Sequence, residues 1–292
     1  MSENGTKEWA GRWLIVGHGS VGSALARRLA QRGIRPWIFD PAPRVPVVDG
    51  ELTDLADIDP FEYIVSCVIP AAALQAIQHV RAMIGPATLY LEWNTLAPDA
   101  KRAVAEKAPL SVVDVALLDT LDHEATHPSL AVSGPHAARA AGLLRSLDFL
   151  VEEVGPACGD AALLKLSRSL FMKCLEALVI EFYAAVAPLR GRSVVVASVE
   201  RNLGDRFTAF SRMLIETDRI HAERRSAELE EAVAVFALQG QSLAVAKASV
   251  EVLQAAAAAW RRDGAPTDGA GADTLAMFLS SALNGEVRDA PG

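Results

Sequence analysis

Three glycines near the N-terminus have the spacing of a phosphate-binding turn. The stretch IVGHGSVGSALARRLAQRG holds Gly17, Gly19 and Gly22 as G-x-G-x-x-G, directly after a β-branched run and at the start of a helical pattern. In this context the first glycine allows a tight turn, the second lets the backbone approach a pyrophosphate, and the third lets the helix pack close to the strand. The helix N-terminus offers unpaired N–H groups to the phosphates. The pattern predicts a dinucleotide site, with a purely structural turn as the alternative.

An acidic residue follows at the distance expected for ribose recognition. Asp40 ends the next strand-like run, 23 residues after Gly17. A carboxylate there accepts hydrogen bonds from both ribose hydroxyls and repels a 2′-phosphate, so NAD is favoured over NADP. Arg44 would bind a 2′-phosphate if its loop folds back, which leaves NADP open. The residues of the glycine turn predicted to bind the cofactor are Gly17, His18, Gly19, Ser20, Val21 and Gly22. His18 is expected to face solvent or the phosphates, without a catalytic role.

A polar stripe runs along the apolar helical pattern of residues 159–191. At about 100° per residue, Lys165, Ser169, Lys173 and Glu176 fall within roughly 80° of one another. Desolvating ionisable groups without partners is costly, so the stripe needs a reason. One explanation is an internal Lys–Glu pair or a single hydrated seam. The other is that the stripe faces a cofactor cleft, where burial tunes Lys165 for proton transfer.

The stretch HEATH, residues 123–127, matches the H-E-x-x-H pattern of zinc metalloproteases. That pattern works only when both histidines lie on one helix with a third ligand further along. Here the stretch connects two strand-like runs, and Pro128 prevents a following helical turn. The sequence therefore predicts a polar surface loop and no metal site.

The elements that must position these residues form two halves. Up to about residue 155, strand-like runs alternate with helical patterns. The strand-like runs are 13–17, 36–40, 63–70, 88–93, 110–118, 129–134 and 148–155. Later helical patterns cover about 160–188, 204–239, 242–261 and 273–284. Apolar strands alternating with helices imply a mainly parallel sheet covered on both faces. We therefore expect an α/β Rossmann-type domain over residues 1–158 and an all-α domain over 159–292.

Composition narrows the function classes. The 292 residues are 51% hydrophobic and carry a formal net charge of −8, which argues against a nucleic-acid partner. Three cysteines form no paired framework, as expected of a cytoplasmic protein. No uncharged apolar run reaches the length of a membrane span, and the polar N-terminus lacks the apolar core of a secretory signal.

Further motifs carry a family resemblance. VIP (68–70), EWNTLAP (92–98) and GPACGDAALLK (155–165), together with the glycines, make the chain resemble the β-hydroxyacid dehydrogenase superfamily, from Trp13 to about Gly240. That superfamily includes 6-phosphogluconate and 3-hydroxyisobutyrate dehydrogenases. Its motif D-x-S-T-x-x-P is similar to EWNTLAP, with Asn94 replacing the serine and Thr95 retained. The resemblance implies contacts with the nicotinamide end of the cofactor from Val68, Ile69, Pro70 and Asn94.

The same resemblance assigns the chemistry to the start of the long helix. GPACGDAALLK is similar to G-x-x-G-x-G-x-x-x-K, in which the lysine is catalytic and an asparagine follows four residues later. Lys165 falls on that lysine, Ala161 replaces a glycine and Ser169 replaces the asparagine. The resemblance implies that Lys165 is the general acid/base and that Ser169 and Thr95 orient the reacting oxygen.

One motif departs from the superfamily. The stretch DVALLDT (114–120) stands where D-A-P-V-S-G-G is expected, so the substrate-binding serine and both glycines are absent. Asp119 and Thr120 occupy this place and are predicted to contact substrate. The departure disfavours 6-phosphogluconate while leaving hydride transfer open.

The second half resembles a subgroup other than those well-known enzymes. Its signature-like stretches are KLSRSLFMKCLEALVIEFYAA and HAERRSAELEE (221–231). In related enzymes the helical domains form a dimer, and basic residues of one subunit close the other's site. The resemblance implies a homodimer and an anion site that uses Lys173, His221 or Arg225. The alternative for residues 221–231 is a charged surface helix with internal ion pairs.

Together these features predict an NAD(P)-dependent dehydrogenase or reductase of a small, acidic hydroxy or oxo compound. Two alternatives stay open at this point. The first is an imine reductase of the same fold, since the serine and asparagine positions have changed. The second is a dinucleotide-binding sensor without catalysis, against which the retained Lys165 argues.

Overall fold

A computed structural model of the chain describes residues 10–41, 43, 46–52, 54–55, 59–108, 112–119, 121, 127–262, 265–267 and 269–284. The chain forms two compact units, Met1–Leu166 and Ser167–Gly292. The units divide inside a helix, whereas the sequence places the domain boundary at 158–159. The reason is local, because Ala161 at the start of this helix packs with Ala116 and Ala131 of the sheet.

The first unit is built on an eight-stranded sheet. Its strands are β1 Trp13–Val16, β2 Trp37–Phe39, β3 Glu51–Leu52, β4 Phe61–Ser66, β5 Ile84–Glu92, β6 Val112–Leu117, β7 Ser129–Ser133 and β8 Leu150–Gly155. Their order is β3-β2-β1-β4-β5-β6-β7-β8. All neighbours pair in parallel except β6 and β7, which pair antiparallel, with Asp114 opposite Ser133. An antiparallel pair allows the shorter connection that residues 118–128 provide. The mainly parallel sheet predicted from the sequence is confirmed.

Helices cover both faces of the sheet. They are α1 Ser20–Ala30, α2 Ala73–His79, α3 Pro98–Ala105 and α4 Ala137–Ser146, with short 3-10 turns at Pro70–Ala72 and Arg81–Met83. On one face Leu25 and Leu144 pack against Ile15. On the other, Ile77 and Val104 pack against residues that include Ile64. Each strand therefore buries side chains on both sides, which explains the continuous apolar runs in the sequence.

The second unit is helical. Helix α5, Asp160–Val186, begins in the first unit and is followed by α6 Arg192–Leu203, α7 Asp205–Leu238, α8 Ala244–Trp260 and α9 Ala272–Asn284. The sequence did not predict α6, whose stretch SVVVASV is rich in β-branched residues of low helix propensity. Gly191 and Gly204, both with φ of +82°, bound this helix. Among the described residues, no helix combines the length and apolar character needed to cross a membrane.

The helical core does not enclose α5 on all sides. Ile180 packs with Leu229 and Leu253 in the interior of the unit. By contrast, Phe171 is 64% exposed and Leu178 is 61% exposed. The nearly continuous apolar character of α5 therefore reflects a buried face and an additional apolar face that is open in the single chain.

Candidate functional site

The three glycines of the turn differ in their backbone conformation and in the space around them. Gly17 adopts a φ of +93°, and a Cβ on it would lie 2.7 Å from the carbonyl oxygen of Cys67. A Cβ on Gly22 would lie 2.1 Å from the carbonyl oxygen of Gly17, so only glycine lets α1 approach β1 this closely. A Cβ on Gly19 would meet no atom within 4 Å. The turn is thus tight and closely packed at its two ends and open in its middle, as a phosphate cradle requires.

A cavity of about 380 Å³ opens beside this turn. Its lining includes Gly17, Gly19, Phe39, Asp40, Val68 and Ile69. The cavity lies at the carboxyl ends of β1, β2 and β4, next to the N-terminus of α1. Apolar walls with one carboxylate and a helix N-terminus suit the nucleoside and phosphate parts of a dinucleotide. The residues of the first unit therefore fit a dinucleotide cofactor.

The structure fixes the Asp40 carboxylate at this cavity. The backbone N–H of His18 donates a hydrogen bond of 2.7 Å to Asp40 Oδ2. The expectation that His18 faces solvent is wrong, because His18 is only 2% exposed, whereas its contact with the phosphates stays a prediction. The turn thus brings the backbone N–H of His18 to Asp40 while the residue itself is buried. Arg44 lies outside the described residues, so the cation considered for NADP has no position here.

The other predicted cofactor residues divide between the cavity and its surroundings. Val68 and Ile69 line the cavity, and Ile69 is 67% exposed. Pro70 begins a 3-10 turn directly after them. Ser20 is exposed at the start of α1, and Val21 packs against the apolar core instead of lining the cavity.

Asn94 is held in the interior at the end of β5. Its side-chain Nδ2 donates to Ser66 Oγ at 2.9 Å, and its backbone N–H donates to Glu92 Oε1 at 3.0 Å. Asn94 is 4% exposed. It therefore shapes the turn before Thr95 and does not line the cavity.

The structure brings Lys165 and Thr95 together. Lys165 Nζ donates a 3.0 Å hydrogen bond to Thr95 Oγ1. Thr95 is exposed just beyond β5, and Lys165 is half-buried in the second turn of α5. These residues are 70 positions apart in sequence, and the fold places them at a carboxyl end of the sheet, where ligands bind in open α/β folds. Ser169 follows one turn later on α5, in the second unit.

Asp119 has a structural partner. Its Oδ2 accepts a hydrogen bond from the backbone N–H of Ser129 at 2.9 Å, which holds the start of β7. Thr120 lies outside the described residues, so the predicted pair cannot be placed as a unit.

The HEATH stretch is described only at its last residue. His127 Nδ1 lies 3.1 Å from the carbonyl oxygen of Asp148. His123 and Glu124 lie outside the described residues. Within the described ranges, no group of three or more His, Cys, Asp or Glu side chains is placed to hold a metal ion.

Two members of the polar stripe of α5, Lys173 and Glu176, have their partners on α7. Lys173 Nζ lies 2.7 Å from Glu228 Oε2, and Arg225 forms an ion pair with Glu176. Arg225 also donates to Thr217 Oγ1 at 2.8 Å. The internal pair between Lys173 and Glu176 considered from the sequence is therefore replaced by two pairs between helices.

Burial dominates the electrostatics of this cluster. It raises the pKa of Glu176 to about 7 and that of Asp218 to about 6, while Arg225 lowers both to a smaller extent. Trp260 Nε1 donates to Asp218 Oδ2 at 2.6 Å. Burial also lowers the pKa of His221, and the neighbouring Arg225 and Arg224 lower it further. Lys173 and Arg225 are already paired with carboxylates, and the lowered pKa of His221 disfavours its cationic form, so all three are poor ligands for an anion. Substrate contacts by these residues stay a prediction.

Three buried ionisable residues were missed by sequence reasoning. Glu92 and Asp114 are 0% exposed and Lys101 is 1% exposed. A signal was available, because Lys101 lies on the same face of α3 as the buried Pro98 and Val104. A cation at an apolar helical position implies a buried anion, although it does not identify which one.

Comparison with known proteins identifies the fold. No protein-family model matches the chain. An uncharacterized 28.5 kDa protein from Methanothermus fervidus is 23% identical over 169 residues, a match that spans 58% of this chain and 65% of that protein. The chain thus covers less than two thirds of that relative.

Solved structures match over nearly the whole chain. A conserved hypothetical protein from Sinorhizobium meliloti 1021 has a TM-score of 0.73 at 22% identity, covering 97% of this chain and 100% of that one. A 3-hydroxyisobutyrate dehydrogenase from Salmonella typhimurium has a TM-score of 0.68 at 17% identity, covering 91% and 98%. A reductive aminase from Aspergillus terreus, in complex with NADPH, has a TM-score of 0.53 at 20% identity, covering 91% and 98%. The chain therefore has the 3-hydroxyacid dehydrogenase fold.

Proposed function

We propose that the protein is an NAD(P)-dependent oxidoreductase acting on a small, acidic hydroxy or oxo compound. The observation that carries this proposal is the hydrogen bond between Lys165 and Thr95, in the same unit as a glycine turn and a cavity suited to a dinucleotide. A sensor needs a dinucleotide cavity but has no need of a lysine poised for proton transfer. The structural neighbours named as dehydrogenases and reductases support the same class.

The proposed proton chemistry belongs to Lys165. Its Nζ takes the hydroxyl proton of the substrate during oxidation and returns a proton to the oxygen during reduction. Thr95 Oγ1, which accepts a hydrogen bond from Lys165, orients the reacting oxygen. The orienting role that the resemblance implies for Ser169 stays a prediction. When bound, the nicotinamide cofactor supplies or accepts the hydride at its C4 atom.

For the cofactor, we favour NAD over NADP. The Asp40 carboxylate is fixed at the cavity by the amide of His18, where it can accept hydrogen bonds from ribose hydroxyls. A 2′-phosphate at that place would meet a negative charge. Because Arg44 lies outside the described residues and the reductive aminase was solved with NADPH, both cofactors belong in the test.

An imine is the second candidate substrate. Asn94 replaces the serine expected at this position and is buried against Ser66, so the local surface differs from the superfamily pattern. The structural neighbours also include an imine reductase from Streptomyces aurantiacus. Reduction of cyclic imines without reduction of oxo acids would favour this candidate.

For the wider context, we propose a homodimer formed through the helical unit, located in the cytoplasm. The three cysteines, Cys67, Cys158 and Cys174, are free, as suits a reducing compartment. The net charge of −8 disfavours nucleic acid and anionic membrane surfaces as partners.

The test is hydride transfer followed at the absorbance band of reduced nicotinamide, with small hydroxy acids, oxo acids and cyclic imines. Each compound is run with NAD(H) and NADP(H). We expect Lys165→Met to abolish turnover, by a factor of about 100 or more, while dinucleotide affinity stays within about twofold. Lys107→Met, at an exposed position in the turn after α3, is the matched control. Turnover that survives in Lys165→Met removes this lysine from the mechanism, whereas dinucleotide binding without turnover on any compound favours the sensor.

A further inference from the structure

One ammonium group lies between the end of strand β5 and the middle of strand β6. Lys101 Nζ donates to the backbone carbonyl of Glu92 at 2.6 Å and to that of Val115 at 3.5 Å. It also lies 2.9 Å from Asp114 Oδ1 and 4.0 Å from Glu92 Oε1. These contacts join α3 to the carboxyl end of β5 and to the middle of β6. A buried charge with this many ligands fixes its surroundings more strongly than an apolar side chain of similar size.

Asp114 connects this ammonium to the helix that carries Lys165. Asp114 Oδ2 accepts hydrogen bonds of 3.0 Å from the backbone N–H groups of Gly159 and Ala162. It also accepts a 3.2 Å hydrogen bond from Ser133 Oγ, which in turn accepts the N–H of Ala161 at 3.0 Å. The first turn of α5 is therefore held by one carboxylate. Lys165 lies in the next turn of that helix.

Glu92 connects the same ammonium to Thr95. Its Oε1 accepts the backbone N–H of Asn94, the residue before Thr95. Within the described part of the chain, Glu92 Oε2 and Asn94 Oδ1 accept no hydrogen bond. Burial raises the pKa of Glu92 to about 7, and Lys101 opposes this shift. Lys101 thus favours the ionised form of Glu92, whose Oε1 accepts the hydrogen bond from the backbone N–H of Asn94.

We propose that Lys101 is a positioning residue that sets the contact between Lys165 and Thr95. Through Asp114 it holds the start of α5, and through Glu92 it holds the turn that ends in Thr95. Both sides of the 3.0 Å hydrogen bond therefore depend on one buried ammonium. The consequence for turnover rests on the proposed function, whereas the consequence for the environment of Lys165 does not.

The test compares Lys101→Met with Lys107→Met, a matched substitution at an exposed position in the turn directly after α3. The readout independent of activity is the pH titration of the Cε signal of Lys165 in protein labelled with 13C-lysine. The chain has six lysines, so each signal can be assigned by substitution. We expect the Lys165 signal and its titration midpoint to move in Lys101→Met and to stay unchanged in Lys107→Met.

Kinetics provide the second readout on the same variants. A displacement of a reacting group by about 1 Å costs about a hundredfold in rate. We expect kcat to fall by about tenfold to a hundredfold in Lys101→Met, with dinucleotide affinity within about twofold of the unsubstituted protein. If the unsubstituted protein turns over no compound, the proposed function fails, and the Lys165 titration still decides the role of Lys101.

A double variant separates positioning from charge balance. Lys101→Met alone leaves Asp114 buried without its cation, which destabilises the fold. Lys101→Met with Asp114→Asn removes both charges and keeps an acceptor oxygen for the start of α5. We expect the double variant to recover thermal stability but to keep the displaced Lys165 titration and the reduced kcat. An unshifted Lys165 titration in either folded variant would overturn the proposal.

Discussion

A side chain added at Gly22 and a side chain added at Gly19 would meet different surroundings. At Gly22 the nearest obstacle is the backbone of the same turn, and at Gly19 it is open space. Stability and ligand binding therefore depend on different glycines, although a sequence pattern gives both the same letter. This difference allows the cofactor site to be tested separately from the fold.

We predict that alanine at Gly22 lowers the stability of the protein, whereas alanine at Gly19 weakens dinucleotide binding. Gly22→Ala places a Cβ 2.1 Å from a carbonyl oxygen and should destabilise the protein, by about 1–3 kcal/mol as overpacking does. Gly19 has a φ of −84°, which alanine adopts without strain. Gly19→Ala should change the stability by less than about 0.5 kcal/mol and weaken dinucleotide binding by about tenfold, because the new methyl group fills the space left for phosphate.

Thermal unfolding and calorimetric titration with NADH measure the two effects. A Gly19→Ala variant that binds NADH as tightly as the unsubstituted protein would place the pyrophosphate elsewhere. A Gly22→Ala variant with unchanged unfolding would contradict the close packing of α1 on β1.

The sequence predicted contacts between residues that lie in recognisable motifs. It did not predict contacts that depend on which strands pair in the sheet. The meeting of Lys165 and Thr95 follows from two motifs that resemble those of one superfamily. Lys101 reaches Asp114 only because β5 lies beside β6 in register, with Glu92 opposite Asp114. No local pattern contains that register. The burial of His18 was likewise not predicted.

At the scale of elements, α5 and α7 are joined by ionisable groups as well as by apolar packing. Glu176 and Asp218 share the neighbourhood of Arg225, so two carboxyls face one guanidinium. Lys173 and Glu228 form the second link, and Arg224 also binds Glu228, at 2.6 Å. The sequence showed that this stripe needed partners but not that those of Lys173 and Glu176 come from α7, because the spacing was also consistent with a pair within one helix.

This cluster should make stability depend on pH. The pKa is raised from 4.5 to about 7 for Glu176 and from 3.8 to about 6 for Asp218, chiefly by burial. A raised carboxyl pKa means that the folded state binds the proton more tightly than the unfolded state. The stabilising contribution is therefore complete below the unfolded values and is lost as the pH rises through 6 and 7. We expect this part of the stability to decline from about pH 4 to about pH 7.

Asp218→Asn tests this expectation while keeping an oxygen that can accept the hydrogen bond of Trp260. The fall in Tm between about pH 4 and about pH 7 should be smaller in this variant than in the unsubstituted protein, by about 2–4 °C for each kcal/mol of linkage removed. Asp273→Asn, at a side chain that is 81% exposed, is the control. Circular dichroism melting across that pH range measures the difference, and parallel curves for all three proteins would refute a titrating cluster.

At the scale of the whole molecule, the helical unit leaves apolar side chains uncovered at regular spacing. Phe171 and Leu178 on α5 are seven residues apart, and so are Met213 and Ile220 on α7. Seven residues make about two helical turns, so each pair lies on one face of its helix. Large exposed apolar side chains aligned in this way are typical of interfaces. A second copy of the chain suits such faces, because a twofold interface uses the same surface on both partners.

We predict that the protein is a homodimer and that charge on this face of α5 makes it monomeric. Phe171→Glu combined with Leu178→Glu would place four carboxylates in a twofold interface, whose desolvation without partners is unfavourable. The same substitutions cost little in the single chain, because both side chains are more than 60% exposed there. Leu238→Glu, at an 86% exposed position at the end of α7, is the matched control and should leave the dimer intact.

Light scattering coupled to size-exclusion chromatography gives the mass directly: 31.0 kDa for the single chain and twice that for the dimer. If the unsubstituted protein elutes as a monomer, the apolar faces of α5 and α7 do not join two copies. If the double variant stays dimeric, the two copies meet through another surface, and the exposed face of α5 needs a different explanation.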